Sequence, residues 1–190
     1  MSDNDWSRQI APTVRTQQFI VAAMCAGCVM FLVIALAVGG ERGEGTPVLT
    51  FAALAFAGSA IGTRQIVIGA IAAAGRRGII RGEPFEAPAG VRLPADALSG
   101  EDAPRWRLLM TFATRNIVAC ALLEGPAFFL IIAYMLERSP LALGGAVALI
   151  VALLLHTPTR SGVVRWVERQ LRLIEEERQL RNLRGDTNRH

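Results

Sequence analysis

Apolar residues in this chain come in blocks, with polar residues gathered between them. Four blocks stand out, at 19–38, 48–74, 111–135 and 141–156. A helix that crosses a bilayer needs about 20 predominantly apolar residues, within a range of roughly 17 to 25. The first and third blocks fit that length. The second is longer, so a helix there tilts or projects beyond the lipid. The fourth, between Pro140 and Pro158, holds only about 16 residues and is the shortest candidate. The pattern predicts an all-α polytopic membrane protein with a four-transmembrane-helix bundle over 17–158. A polar segment, 1–16, precedes the bundle, and a tail, 159–190, follows it.

Composition agrees with this reading: 52% of residues are apolar and 19% charged, and the two kinds are segregated. The first block invites confusion with a signal peptide, because Arg8 and Arg15 precede it and Ala35-Leu36-Ala37 resembles a cleavage site. Its apolar core is longer than the usual h-region of about 7–15 residues, and further spans follow. It is expected to stay as a span.

Orientation rests on arginine alone, since all 20 basic residues are arginine. The stretch 75–110 carries Arg76, Arg77, Arg81, Arg92, Arg105 and Arg107, and the tail is equally rich. The two short turns have only Arg42 and Arg138. The positive-inside rule then puts both termini and the long loop in the cytoplasm. Trp106, Trp166 and Tyr134 fall where interfacial anchors belong.

Two ionisable residues interrupt the blocks, Arg64 in the second and Glu124 in the third. A charge at that depth costs roughly 3 kcal/mol on insertion scales, so each is a candidate functional residue. At 1.5 Å per residue, Glu124 lies roughly 20 Å along its helix from Thr111, and Arg64 roughly 15 Å from Ala74. An arginine side chain can span the difference, and the two helices are consecutive and antiparallel. An intramembrane Arg64–Glu124 pair is therefore expected. It would lock two helices together or form part of a proton or ion relay, and the alternative is that Arg64 snorkels alone to the interface.

Small residues accompany these charges. Gly58 and Gly62 make a GxxxG step that lets helix backbones approach. Gly125-Pro126 directly follows Glu124, and Pro126 removes the helical partner of the Leu122 carbonyl, which predicts a kink beside the carboxyl group.

The stretch Ala121-Leu122-Leu123-Glu124-Gly125-Pro126, continuing to Ile131-Ile132-Ala133-Tyr134, resembles the signature helix of an uncharacterised family of four-span bacterial membrane proteins. Gln18-Phe19-Ile20-Val21 and Thr157-Pro158-Thr159-Arg160 extend that likeness. More faintly, the Glu124 helix is similar to the carboxylate-bearing helix of ATP-synthase proteolipid subunits, which would make Glu124 an ion-binding carboxyl. The long 75–110 stretch and Arg64 depart from the proteolipid pattern, so a rotor role is not expected.

Cys25 and Cys28 form a Cys-x-x-Cys step inside the first span, and Cys120 lies in the third. With no second pair to complete a zinc set they read as packing residues, and no metal or cofactor is expected. His156 and His190 are the only histidines, and no phosphate loop, zinc-protease step or nucleophile triad occurs, so an enzyme is not expected. Pro84, Pro88, Pro94 and Pro104, among acidic residues, make the 75–110 stretch read as a flexible loop.

The tail repeats Val163, Val164, Val167, Leu171 and Ile174 at helical spacing. With Ser161 as N-cap and Gly185 as stop, it predicts an amphipathic helix over about 162–184. Its cationic first half, with Arg165, Trp166 and Arg169, would lie on anionic lipid headgroups, or its stripe would pair in a homo-oligomer or with a membrane partner. Glu168, Glu175, Glu176 and Glu177 interrupt the arginines, so nucleic acid is not an expected partner. The expectation is a non-enzymatic structural or assembly component; the competing reading is a small proton- or ion-coupling transporter using Glu124.

Overall fold

The computed structural model describes residues 6, 8–38, 47–83 and 102–187, with side chains described as far as 181. Among the described residues the chain forms α1 (Ala11–Ala37), α2 (Val48–Ile80), α3 (Ala103–Glu137), α4 (Pro140–Leu155) and α5 (Arg160–Thr187). Three of these helices are long and apolar enough to cross a membrane, or up to four if α4 and α5, separated by a short break, are counted as one span. The 33 residues of α2 and 35 of α3 give helices of about 50 Å, well beyond the roughly 30 Å of a hydrocarbon core. Both helices therefore run past the apolar blocks that mark them in the sequence. The expected loop over 75–110 is correspondingly shorter: 75–80 and 103–110 are helical, and 84–101 lie outside the described residues. Hydropathy marks where lipid must end, whereas backbone hydrogen bonding continues for as long as the chain finds packing.

The chain divides into two compact units. The apolar unit comprises Pro12–Ile68 and Asn116–Pro158; the arginine-rich unit comprises Met1–Ala11, Gly69–Arg115 and Thr159–His190. Sixteen of the twenty arginines fall within the ranges of the second.

In the apolar unit α3 is the shared partner. Its Cys120, Leu123, Ala127, Leu130 and Ile131 join Val21, Cys25 and Cys28 of α1, Ala53 and Ala57 of α2, and Ala142, Ala146 and Leu153 of α4. Adjacent rings split between neighbours: Phe128 packs on Phe31 of α1 at 5.5 Å and Phe129 on Phe56 of α2 at 5.8 Å. Consecutive positions on a helix point roughly 100° apart, so one step along α3 serves two helices. Gly145 of α4 lies so near Leu130 and Leu54 that a Cβ would come within 3.1 Å of Leu130 Cδ1. The inner surface thus mixes many alanines and the three cysteines with a few large side chains, Leu130, Ile131 and Leu153 among them. Large side chains such as Phe19, Val33, Ile66 and Leu155 stand outward.

The α3–α4 turn is tight. Arg138 takes a left-handed φ of 52°, uncommon for a residue with a Cβ. Its guanidinium sits 5.0 Å from the centre of the Tyr134 ring and donates to the Ala35 carbonyl at 3.3 Å. Pro140 opens α4, where its missing N–H costs nothing. Glu137, the last residue of α3, clamps the start of α2: its carboxylate accepts from the N–H groups of Leu49 (2.6 Å) and Thr50 (2.7 Å) and from the Thr50 hydroxyl (2.7 Å). An anion there satisfies otherwise orphaned amides and complements the helix dipole.

The arginine-rich unit is built the other way. Trp6, Ile10, Ile79, Trp106, Leu108, Leu109, Val163, Val167 and Ile174 are buried. Trp6 and Trp106 meet edge to face at 5.2 Å. Trp166 meets Phe112 at 5.4 Å and lies under the Arg115 guanidinium at 5.7 Å. Arg76 donates to the Gln170 side chain at 2.6 Å, and Arg107 to the Glu83 carbonyl at 2.7 Å. Gly75 is required where α2 meets Thr111, since a Cβ there would lie 2.7 Å from the Thr111 hydroxyl.

Trp106 is buried in this unit, and Trp166 is half-buried. Two expectations change here. The stripe of α5, buried at Val163, Val167, Gln170 and Ile174, is covered by protein rather than left open. α5 also begins at Arg160, because the Thr159 hydroxyl, not Ser161, takes the Gly162 N–H at 3.2 Å.

Candidate functional site

One polar cluster of the apolar unit centres on Arg64 of α2. Ala53, Ala57, Ala60, Arg64 and Ile68 recur at steps of three and four and form the inward face of that helix. Arg64 is only 9% exposed. Its Nε donates to the Ala119 carbonyl of α3 at 3.3 Å, and its Nη2 meets Nε2 of His156 at the end of α4. Nδ1 of His156 lies 2.6 Å from the Ala152 carbonyl. A carbonyl can only accept and a guanidinium can only donate, so Nδ1 carries the proton and Nε2 accepts from Arg64. α2, α3 and α4 are thereby tied by one side chain. Nearby polar side chains are paired as well: Asn116 donates to Gln17 at 3.4 Å, and Gln18 to the Pro158 carbonyl at 2.9 Å.

The expected Arg64–Glu124 pair is absent: among the described residues Glu124 makes no ion pair and accepts no hydrogen bond. The depths were compatible, but the azimuths are not. Arg64 meets α3 at Ala119, and five residues further on a helix has turned by roughly 140°. Glu124 thus points elsewhere, on the helical face of Cys120 one turn earlier. The thiols of Cys25, Cys28 and Cys120 are free and buried. Among the described residues no group of three or more His, Cys, Asp or Glu is placed to hold a metal ion.

Gly58 and Gly62 also lie elsewhere than expected. Both are exposed and a Cβ on either would meet nothing within 4 Å, as would one on Gly125. Close approach inside the unit falls instead to the alanines of α2. Beside those glycines, Phe56, Ser59, Ala60, Thr63, Ala121, Leu122, Gly125 and Pro126 line an open groove of about 220 Å³ between α2 and α3. α3 runs unbroken through Pro126. Arg165 and Arg169 of α5 are exposed.

Two residues of the apolar unit carry more than their positions in the sequence suggest. His156, at the end of the shortest apolar block, holds Arg64. Glu137 holds α2, and its signal is legible: it lies two residues past the third block, opposite the start of the second in an antiparallel pair.

These features define an all-α protein with three, or up to four, helices able to cross a membrane. No family model, curated protein or solved structure matches the chain.

Proposed function

We propose that this chain is a non-enzymatic structural or assembly component of the bacterial inner membrane. In this reading it has four spans, cytoplasmic termini and a cytoplasmic α5. The observation that carries the reading is the open groove between α2 and α3, lined mostly by small residues with Phe56 and Leu122 among them. Gly58, Gly62 and Gly125 have open space around them, and Ser59, Ala60, Thr63 and Ala121 line the groove beside them. Lipid gives no hydrophobic drive for helix association, so close packing between small residues is the main gain available to a neighbouring transmembrane helix. That neighbour is a helix of a second copy or of a membrane partner. The arginine distribution supports the orientation, and the exposure of Arg165 and Arg169 supports contact with anionic headgroups.

The test is subunit counting by single-molecule photobleaching in native membranes, on wild type and on Ser59→Trp and Ala121→Trp. Assembly through this face predicts oligomers that dissociate in both variants. A wild-type monomer whose diffusion both variants leave unchanged would contradict it.

A second reading, a small proton- or ion-coupling transporter, is favoured by one observation: among the described residues no cation holds Glu124. Labelling of Glu124 by a hydrophobic carbodiimide, suppressed by rising pH or sodium, would support it.

A further inference from the structure

Gln65 stands out on the outward side of α2. It lies inside the apolar block 48–74, between Arg64, which is turned inward, and Ile66, which is 75% exposed. Its side chain is exposed too, and among the described residues it has no hydrogen-bond partner. Ser59, also exposed on this helix, is satisfied locally: its hydroxyl donates to the Phe56 carbonyl at 2.8 Å. The longer amide of Gln65 carries two donors and an acceptor, and none of them is used. Lipid supplies no hydrogen bond, so an amide facing it stays unsatisfied until a neighbouring helix answers it.

The residues around Gln65 show which helix can do so. Phe51, Ala55, Gly58, Gly62 and Gln65 follow one another at steps of four, three, four and three, and all are exposed. Those steps average 3.5 residues, the repeat of the a and d positions where two helices wind around each other left-handedly. Most transmembrane helix pairs cross with that hand. At roughly 100° per residue, the centre of this seam is turned by roughly 150° from the inward face of Ala53, Ala57, Ala60 and Arg64. A Cβ on Gly58 or Gly62 would meet nothing within 4 Å, so the space beside the seam is open to another backbone. One polar residue in such a seam fixes register.

The chemistry of Gln65 selects its own kind. An amide both donates and accepts, so two copies satisfy each other, each NH2 group donating to the carbonyl oxygen of the other. Copies of one chain enter the bilayer in one orientation, so their α2 helices run parallel. A two-fold axis along the membrane normal then sets Gln65 level with its counterpart. An unlike partner would have to bring a matching polar group to the same depth.

We propose that the chain forms a parallel dimer through α2, in which Gln65 pairs with Gln65 of a second copy. Gly58 and Gly62 let the two backbones come close. The proposal rests on the assembly reading for the existence of an oligomer, and adds which partner it has and which residue holds it.

Two measurements on the full chain in native membranes test this. In the first, Cys25, Cys28 and Cys120 are replaced by alanine, and Ala55→Cys, Gly58→Cys, Gly62→Cys, Gln65→Cys and Thr63→Cys are made one at a time and oxidised with copper phenanthroline. The four seam positions should give disulfide-linked dimers. Thr63→Cys, on the groove side and turned by roughly 160° from Gln65, should not. The second keeps the native cysteines and counts subunits by photobleaching as protein density falls. Gln65→Leu should raise the density at which half the dimers dissociate about tenfold, as losing two intramembrane hydrogen bonds of ordinary strength would do. Gln65→Asn, which keeps the amide, should raise it less. Wild-type oligomers that Gln65→Leu leaves unchanged, or that cross-link at Thr63→Cys and not at Gln65→Cys, would overturn the proposal and leave the assembly reading standing. A wild-type monomer would overturn both. The counting stands even if the cysteine-free chain fails to fold.

Discussion

The two units solve packing in different ways. In the apolar unit alanine and cysteine share the inside with a few large side chains, and many other large side chains stand outside: Ala53, Ala57, Cys120, Ala127, Ala142 and Ala146 are buried beside Leu130, Ile131 and Leu153, while Phe19, Ile66 and Leu155 are 66%, 75% and 80% exposed. In the arginine-rich unit tryptophan, leucine and isoleucine are inside, and arginine and glutamate outside. Water rewards removal of large apolar side chains, which gives the second arrangement. Lipid does not, so helices there gain by fitting backbones close together through small residues. So large an exposed apolar surface is foreign to water-soluble monomers and natural in a bilayer. The contrast shows that one chain of 190 residues is written for two solvents.

This comparison can be broken by substitution. The largest effect is expected for Trp106→Ala, which empties the Trp6–Trp106 contact in the arginine-rich unit and should cost about 3–5 kcal/mol in chemical unfolding. In the apolar unit the damaging change runs the other way. Ala146→Leu forces extra volume into the seam between α4 and α3 and should cost about 1–3 kcal/mol in detergent unfolding. Smaller still is Glu137→Ala, which removes three hydrogen bonds from the start of α2. It should lower the unfolding temperature by less than Ala146→Leu, and Glu137→Gln, which keeps an acceptor, by less again. The least effect is expected for Ile66→Ala, which faces outward and should stay within about 0.5 kcal/mol in a lipid environment. A large loss at Ile66 would mean that this face is covered by another helix, and would sharpen the assembly reading.

Much of this fold is legible in the sequence because lipid imposes contiguity. A spanning helix must satisfy its backbone internally and show apolar side chains continuously, which is why blocks 19–38, 48–74 and 111–135 locate α1, α2 and α3. The fourth block matches α4 within one residue at each end. What hydropathy does not encode is azimuth. Arg64 and Glu124 agree in depth, yet a five-residue offset from Ala119 turns Glu124 away. The same blindness hides which small residues face inward, so Gly58 and Gly62 attract notice while Ala53 and Ala57 make the contact. The arginine-rich unit is harder still to read. Its core is assembled from an N-terminal residue, Trp6, the ends of α2 and α3, and the tail, none of which holds enough apolar residues to announce a core alone. The stripe of α5 is visible at Val163, Val167 and Ile174, but nothing local says whether lipid or protein covers it.

The division between two solvents is tested most directly by spin labels placed one at a time on a cysteine-free background, at Val33, Ile66 and Leu154 in the apolar unit and at Arg169, Glu176 and Arg181 in the other. In reconstituted bilayers, power saturation should show the first three reachable by oxygen and shielded from a water-soluble nickel chelate, and the last three the reverse. Chelate access at Val33, Ile66 and Leu154 equal to that at Arg169 would contradict the account.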